Sequence, residues 1–471
     1  MKCYRSAALL LAVLLLFTGC APKVPVTDPE TVITVGRPLS SAATSTTVTE
    51  AATTDTTTET TEVSGNSTVT ATGSSNRKTT VTTTAKTTVT TVVTNVTTTT
   101  TAVPTPSVSG EIRGAWVSYI EVAELFSGCS TAAQARAAVD TLMKKLAGYG
   151  MNTVFFHVRA NSDAYYNSSI FKPAAAVSKL IAAGFDPLAY AVEAAHREGL
   201  QLHAWINPYR VGKQTAYLVA DVPYFSDTSK RYYYVPTSKA AQTLILNGVR
   251  EVLDTYAVDG IQYDDYFYPD SLLKEGTVYS YESADYEAYR QAGGTLSVGD
   301  WRRAAVDTLI AGTHTLTSAK GVVFGVSPAV SADNTYKALY ADCRKWLKQA
   351  GYVDYLCPQI YTGFEHGSSP FDTMVDTWMG YERHSSVQLY VGLALYKIGL
   401  KSDTYAGKGK TEWAQNDDIM SRSVSYLREK KIPGLCFYSY SYFEPSAKAG
   451  LSDTADVNVA KREIENLLDV L

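Results

Sequence analysis

The 471-residue chain predicts an α/β protein, a (β/α)8 TIM barrel preceded by a signal peptide and a disordered Thr-rich tether. Three observations predict it. Residues 1–20 combine a cationic start with a short apolar run. Residues 21–110 contain no Phe, Tyr or Trp. From residue 111 to 471, short apolar segments alternate with helical ones eight times.

Lys2 and Arg5 precede an apolar run from Ala7 to Phe17, and Thr18-Gly19-Cys20 follows. The run is shorter than the roughly 20 residues a bilayer span needs and has the layout of a secretory signal. Its end resembles a bacterial lipobox, with Phe17 where Leu is usual, so Cys20 is the expected site of lipidation. An ordinary signal with a chance cysteine is the other reading. Several acyl chains would anchor the protein stably, since each buried CH₂ contributes about 0.8 kcal/mol and a single chain is marginal. The expected location is extracytoplasmic, on the membrane and facing the cell wall.

Residues 21–110 are the expected linker, dominated by Thr from Thr44 to Thr105. Without large apolar side chains the segment cannot offset the entropy of ordering. It reads as an extended tether, O-glycosylated as Ser/Thr-rich stalks with Pro often are, or a plain spacer. Its reach, at about 5–6 Å × √n, is on the order of 50 Å.

A net charge of −4 gives no footprint for a nucleic-acid partner. Of six cysteines, Cys3 and Cys20 belong to the leader; Cys129, Cys343, Cys357 and Cys436 show no C-x-x-C spacing, so neither a zinc site nor a disulfide framework is indicated. The histidines lack H-E-x-x-H spacing and no Gly-x-Ser-x-Gly elbow occurs. No metal and no cofactor is expected, and the protein is expected to be a monomer.

In the remaining chain, 111–471, strands are expected at 113–119, 152–160, 201–209, 260–266, 322–330, 355–361, 388–396 and 434–441. Helices are expected at about 131–148, 186–198, 237–256, 300–319, 335–349, 370–383, 411–430 and 454–470. Asp186-Pro187 is an N-cap with Pro at the first helical position. Thr237, Thr411 and Thr454 precede helical runs in the same way, and Gly150, Gly199 and Gly351 close helices. Strict β/α alternation argues a parallel sheet. Eight units over this length fit a barrel; an open doubly wound sheet is the rival, but no Gly-rich phosphate loop follows the first strand.

A barrel places its site at the C-terminal strand ends, and strand side chains alternate faces. His157 and Arg159 share one parity on the second strand; His203, Trp205 and Asn207 share one on the third. Gln262 and Asp264 do so on the fourth, Gln359 and Tyr361 on the sixth. These polar sets are expected to line the mouth, since burying them without partners would cost about 1–3 kcal/mol each. Asp264 and Asp265 lie side by side where the fourth strand turns polar, and like charges this close push one pKa up. That is a setting for acid–base chemistry, with an ion-paired or capping aspartate as the bland alternative. Arg159 neutralising Asp264 fits either case. His157 and His203 are core histidines or catalytic ones; Gln359 braces the barrel or binds ligand; Glu121 is a loop anchor or a ligand contact; Glu365 is a second carboxylate or a solvated one. The 33 tyrosines crowd the strand ends, among them Tyr119, Tyr209, Tyr266, Tyr361, Tyr396 and Tyr438. A ring with a hydroxyl offers an apolar face and a polar handle, which suits a sugar polymer.

Several segments carry a resemblance across most of 111–445. They are Arg-Gly-Ala-Trp-Val (113–117), Asn-Thr-Val-Phe-Phe-His-Val-Arg-Ala-Asn-Ser-Asp-Ala (152–164), His-Ala-Trp-Ile-Asn-Pro-Tyr-Arg (203–210) and Asp-Gly-Ile-Gln-Tyr-Asp-Asp-Tyr-Phe-Tyr-Pro (259–269). Asp-Trp-Arg-Arg (300–303), Phe-Gly-Val-Ser-Pro (324–328) and Pro-Gln-Ile-Tyr (358–361) complete the set. In this order they resemble the glycosyl-hydrolase-like family 10 barrels of bacteria. The resemblance implies a (β/α)8 fold and glycosidase activity on cell-surface polysaccharide; one branch cleaves peptidoglycan glycan strands stripped of peptides. The chain departs from the common pattern at Gln262, where His is expected, at Ala160, where Pro is usual, and at Thr362, where an aromatic often follows.

The expectation is thus an extracytoplasmic glycoside hydrolase acting on a cell-wall or cell-surface polysaccharide. Asp264 is its first carboxylate and Asp265 or Glu365 its second, by a retaining, inverting or substrate-assisted route. Arg159, His203, Asn207, Tyr209, Gln262, Gln359, Tyr361 and Glu121 are the expected substrate contacts. The alternative is a tethered barrel that grips glycan without cutting it.

Overall fold

The computed structural model describes residues 110–227, 229–269, 276–448 and 450–471; the leader with Cys20 and the Thr-rich tether lie outside them. Eight parallel strands form the centre. They are β1 (Ile112–Val117), β2 (Thr153–Arg159), β3 (Gln201–Ile206), β4 (Gly260–Tyr263), β5 (Val323–Val326), β6 (Tyr355–Leu356, resuming at Gln359–Ile360), β7 (Gln388–Leu389, resuming at Val391–Leu393) and β8 (Gly434–Tyr438). Each pairs with the next in chain order, and β8 returns to β1 through Ile112↔Gly434 to Trp116↔Tyr438. Pro358 interrupts β6 without changing register: Leu356 opposes Leu389 before it and Gln359 opposes Gly392 after it. The proline has no N–H to give, but its carbonyl still accepts from the Gly392 N–H at 2.9 Å. The pairing therefore closes, and the fold is the (β/α)8 barrel the alternation predicts.

One helix returns outside each strand: α1 (Ala132–Gly148), α2 (Pro187–Arg197), α3 (Lys239–Thr255), α4 (Val298–Ser318), α5 (Cys343–Lys348), α6 (Phe371–Met379), α7 (Ile419–Glu429) and α8 (Val457–Leu468). No helix among the described residues is long and apolar enough to cross a membrane. Asp186 caps α2 as expected, accepting from the Leu188 and Ala189 N–H groups. Other caps differ. Ser238 rather than Thr237 caps α3, and Asp456 rather than Thr454 caps α8. Thr411 stands at a helix start but makes no side-chain cap bond. The single helix expected at 335–349 is two, Ala332–Ala338 and α5, because Tyr340 turns left-handed (φ 52°) and Asp342 caps a fresh start at Cys343 by accepting the Lys345 N–H. The one expected at 411–430 likewise splits at Asn416–Asp418 into Glu412–Gln415 and α7.

Two cores result. The outer one lies between strands and helices and takes one face of every strand, such as Val154, Phe156, Ala204, Ile206, Ile261 and Tyr263. The inner one fills the barrel with Trp116, Phe155, Trp205, Tyr355, Cys357 and Cys436, with Tyr390 and Tyr438 against them. So many rings fit in so small a barrel because glycine faces them. A Cβ on Gly260 would meet the His203 ring at 2.5 Å, and one on Gly325 the Tyr355 ring at 2.0 Å. Insertions then build up the C-terminal rim. An antiparallel sheet of Arg210–Gly212, Tyr224–Ser226 and Tyr232–Tyr234 follows β3. The long segment after β4 is held to α4 by the buried Arg302–Glu282 pair, whose Arg302 Nη1 also donates to the Tyr340 hydroxyl at 2.9 Å.

Candidate active site

Asp264 is the residue just past β4, its N–H still donating to the Ile206 carbonyl at 3.3 Å. Its Oδ1 accepts from the Asp265 N–H at 2.8 Å and from Gln359 Nε2 at 3.0 Å. Gln359 is fixed in turn, since the same nitrogen donates to the Ser327 carbonyl at 3.0 Å. The chain bends at Asp265, whose carbonyl accepts from the Phe267 N–H at 2.9 Å. That bend brings the second carboxyl back within hydrogen-bond reach of the first. Burial pushes the Asp264 carboxyl above the usual carboxylate range, while hydrogen bonds from Asp265 and Gln359 and the charge of Arg210 pull it back. Both aspartates are buried, each residue 7% exposed.

Tyrosine rings wall the space beside Asp264. Tyr438, at the end of β8, stacks on Tyr361 with centroids 5.8 Å apart and meets Tyr396 edge-on at 5.8 Å. Tyr361 and Tyr438 both sense the Asp264 charge. Trp205 sets its ring edge-on to Tyr438 at 6.4 Å and stacks on His157 at 3.7 Å. His157 takes the Tyr119 N–H on Nδ1 at 3.2 Å, so the ring proton sits on Nε2. Burial, then the Arg210 charge, holds this imidazole neutral by lowering its pKa well below the ordinary value. Asn207 gives Nδ2 to the Ala160 carbonyl at 3.0 Å and faces His157, fully enclosed.

Other expected site residues lie away from Asp264 or in deeper layers. Glu121 lies in the helix Tyr119–Phe126, in a capping box with Ser118, and accepts from the hydroxyl of Ser439 at 2.6 Å and the N–H of Ser441 at 3.1 Å. It anchors the exit of β8 to the exit of β1, the first of its two readings. His203 and Gln262 sit deeper, in the inner core. His203 Nδ1 bonds the Tyr355 hydroxyl at 3.0 Å, and burial lowers its pKa to about 4. Gln262 Oε1 accepts from Trp116 Nε1 at 2.6 Å, and its Nε2 reaches the Tyr355 hydroxyl at 3.4 Å. Tyr209 is wholly buried in the outer core. Glu365 is exposed in the loop after β6, which Glu412 holds by accepting the Phe364 and Glu365 N–H groups at 2.8 and 3.0 Å.

Arg159 corrects the simple alternation. The ladder between β2 and β3 slips after His157↔Trp205 to Arg159↔Ile206, a bulge at Val158. Arg159 therefore turns to the outer side with Ile206, its guanidinium 4.6 Å from the centre of the Phe171 ring. The cation whose charge acts on Asp264 is instead Arg210, the last residue of the 203–210 motif and outside the expected site. It lies just beyond β3, where strand parity no longer gives direction. Tyr119 and Tyr266 flank it.

Residues 111–407 match the family described as Glycosyl hydrolase-like 10. Glycosyl hydrolase DigH of Escherichia coli (strain K12) is 33% identical over 325 residues, covering 61% of this chain and 70% of that protein. Glycosyl hydrolase YngK of Bacillus subtilis (strain 168) is 30% identical over 325 residues, covering 62% of each. Among solved structures, the PgaB (BpsB) glycoside hydrolase domain from Bordetella bronchiseptica is similar at a TM-score of 0.48 and 11% identity, covering 77% of this chain and 99% of that one. The match spans seven of the eight barrel strands, the Asp264-Asp265 turn included, and on it the chain belongs to the glycosyl hydrolase-like 10 family.

Proposed function

We propose that this protein is a glycoside hydrolase that cleaves an N-acetylated polysaccharide of the cell wall or cell surface, such as peptidoglycan strands. The observation that carries the reading is the Asp264 carboxyl. It stands at the open end of the barrel, is pushed toward its protonated form by burial, and is aimed by Gln359 and the Asp265 N–H. A carboxyl whose pKa burial raises is better able to give a proton to a glycosidic oxygen.

The spacing of the pair favours one mechanism. Two separate carboxylates work at about 5–5.5 Å for retention or roughly 6.5–9.5 Å for inversion. Asp264 and Asp265 are instead in hydrogen-bond reach of each other. That closeness supports substrate-assisted cleavage, with Asp264 protonating the leaving oxygen while Asp265 orients and polarises the sugar's own acetamido group. The acetamido oxygen attacks the anomeric carbon as the leaving bond breaks, and water then opens the cyclic intermediate. Tyr361, Tyr396 and Tyr438 supply ring faces for the sugars. The lipid anchor on Cys20 and the Thr-rich tether belong to the same proposal, as the means of holding the barrel outside the membrane within reach of the wall.

Digestion of intact peptidoglycan, peptide-free glycan strands and other N-acetylated polysaccharides, with products identified by mass, tests the reading. The wild type should shorten at least one of them. Asp264→Asn should leave chain lengths unchanged with an unaltered thermal midpoint, and full activity in that variant would remove Asp264 from the mechanism. Glycan retained in pull-downs by a wild type that shortens nothing would mark a binding barrel instead.

A further inference from the structure

Arg159 turns into the outer core and is 1% exposed, with the centre of the Phe171 ring 4.6 Å from its guanidinium carbon. Its terminal nitrogens, Nη1 and Nη2, have no hydrogen-bond partner among the described residues, so no carboxylate there accepts from them. The tyrosines within range of its charge, Tyr166, Tyr263 and Tyr234, are buried, and burial keeps their hydroxyls neutral. Tyr263 faces Thr313 Oγ1 at 2.8 Å; that hydroxyl donates to the Leu309 carbonyl at 2.9 Å, so the Tyr263 proton goes to Thr313. The Tyr234 oxygen meets Ser162 Oγ at 2.7 Å and takes the Val219 N–H at 3.0 Å. Asp163 feels Arg159 at longer range, but burial moves its carboxyl toward the neutral form, and its Oδ1 accepts the Asn161 N–H at 3.1 Å. Burial lowers the Arg159 pKa, yet an arginine keeps its charge. A buried cation without a partner is costly, and water would satisfy its N–H groups without offsetting its charge. A spare donor lies in the same layer. Tyr209 is wholly buried, its hydroxyl has no partner among the described residues, and Tyr263 is near enough to act electrostatically on both it and Arg159.

We propose that this layer is an anion site, in which Arg159 Nη1 and Nη2, with the Tyr209 hydroxyl as a further donor, hold one halide ion such as chloride. Phe171 and the tyrosines that enclose it are all buried, which leaves no opening for an organic acid. A monatomic anion accepts from a guanidinium fork and a hydroxyl alike and offsets the charge that water would leave. The site lies behind the barrel mouth rather than in it. The Arg159 carbonyl takes the Asn207 N–H at 2.9 Å, so the ion braces the exit of β2 from the helix side. It involves no glycan and stands apart from the glycosidase reading.

Equilibrium dialysis of the full chain against radioactive chloride, with gluconate holding the ionic strength constant, tests the assignment. The wild type should bind about one chloride per chain, saturably and in competition with bromide. Its thermal midpoint should rise by about 3 °C or more between chloride-free and saturating buffer and then level off. Arg159→Met, which keeps the length of the side chain without its charge, should bind no chloride at this site, and its midpoint should not respond. Arg159→Lys keeps the charge but loses the fork; it should bind about 10-fold or more weakly, and it decides the matter if the methionine variant does not fold. Tyr209→Phe removes one donor and should weaken binding while leaving the stoichiometry at one. Chloride on the protein surface would bind to wild type and variants alike. Equal chloride uptake by wild type, Arg159→Met and Arg159→Lys would therefore overturn the proposal, as would a wild type that takes up none. A midpoint that rises with chloride equally in all of them would be a general salt effect and would count against it too.

Discussion

Gln359 Nε2 divides its hydrogens between Asp264 Oδ1 and the Ser327 carbonyl, at 3.0 Å each. One side chain on β6 therefore fixes the carboxyl that ends β4 by holding on to the loop after β5. Its donation favours the ionised form of Asp264 and opposes the upward push of burial. Removing it has a definite sign. In Gln359→Leu the Asp264 pKa should climb further, so the basic limb of kcat/KM, which reports the free enzyme, should move to higher pH. The maximal rate should drop by about 10- to 100-fold because the acid is no longer aimed. A pH–rate profile identical to that of the wild type would show that Gln359 does not govern the acidity of the reacting group.

The barrel interior predicts a different sensitivity. Trp116, Gln262, Tyr355 and His203 are joined by hydrogen bonds across the centre, and glycines on neighbouring strands make room for the rings. Gly325→Ala puts a methyl 2.0 Å from the Tyr355 ring, a separation real atoms do not tolerate. Overpacking of this kind costs about 1–3 kcal/mol, and here the displaced ring also carries two hydrogen bonds. Thermal and denaturant unfolding should report a loss at or above the upper end of that range. A midpoint within a degree of the wild type would mean that the Tyr355 ring has somewhere else to go.

The same interior marks where the sequence was legible and where it was not. Alternation of residue types along β3 and β4 separated Ala204 and Ile261 from Trp205 and Asp264 correctly, because a strand with a packed face on each side obeys period two. Depth along the barrel axis has no such mark, so His203 and Gln262 were grouped with the mouth although they lie a layer below it. The bulge at Val158 was invisible because nothing in His-Val-Arg distinguishes an inserted residue from a regular one, and it alone turns Arg159 outward. Asp342 is an N-cap residue type followed by a helical run, which is the mark in the sequence of the second start within 335–349.

The N-terminal segment makes an independent prediction about location. With Lys2 and Arg5 before an apolar run that ends in Thr18-Gly19-Cys20, lipidation at Cys20 should place the protein in the membrane fraction, labelled by radioactive palmitate. Cys20→Ser should abolish the label and release the chain to the soluble fraction or leave it uncleaved, with barrel activity retained. A Cys20→Ser protein that still partitions with membranes and is processed at the same site would point to an ordinary signal and another mode of attachment.

Glu463 should make folding itself sensitive to pH. It lies on the buried stripe of α8, only 1% exposed, beside Ile464 and Leu467. There it does the capping that Asp418 leaves undone, drawn to the Met420 and Ile419 N–H groups at the start of α7, while its Oε2 has no hydrogen-bond partner among the described residues. Burial raises its pKa to about 7, against the help of those backbone N–H groups and with a further push from Asp418 and Asp417. Because the folded value exceeds the unfolded one, the native state keeps a proton that the unfolded chain has already lost once the pH passes about 4.5. Stability should therefore fall as the pH rises from about 4.5 to 7 and then level off. The loss is on the order of 3 kcal/mol at most if the whole shift is expressed. Glu463→Gln keeps an acceptor for Met420 but cannot ionise, so its unfolding free energy should lack this slope and exceed that of the wild type above pH 7. Denaturant unfolding across pH 4 to 8 distinguishes the cases: parallel curves for the two proteins would mean that Glu463 ionises in the fold as readily as in the open chain, through water reaching the unpartnered oxygen.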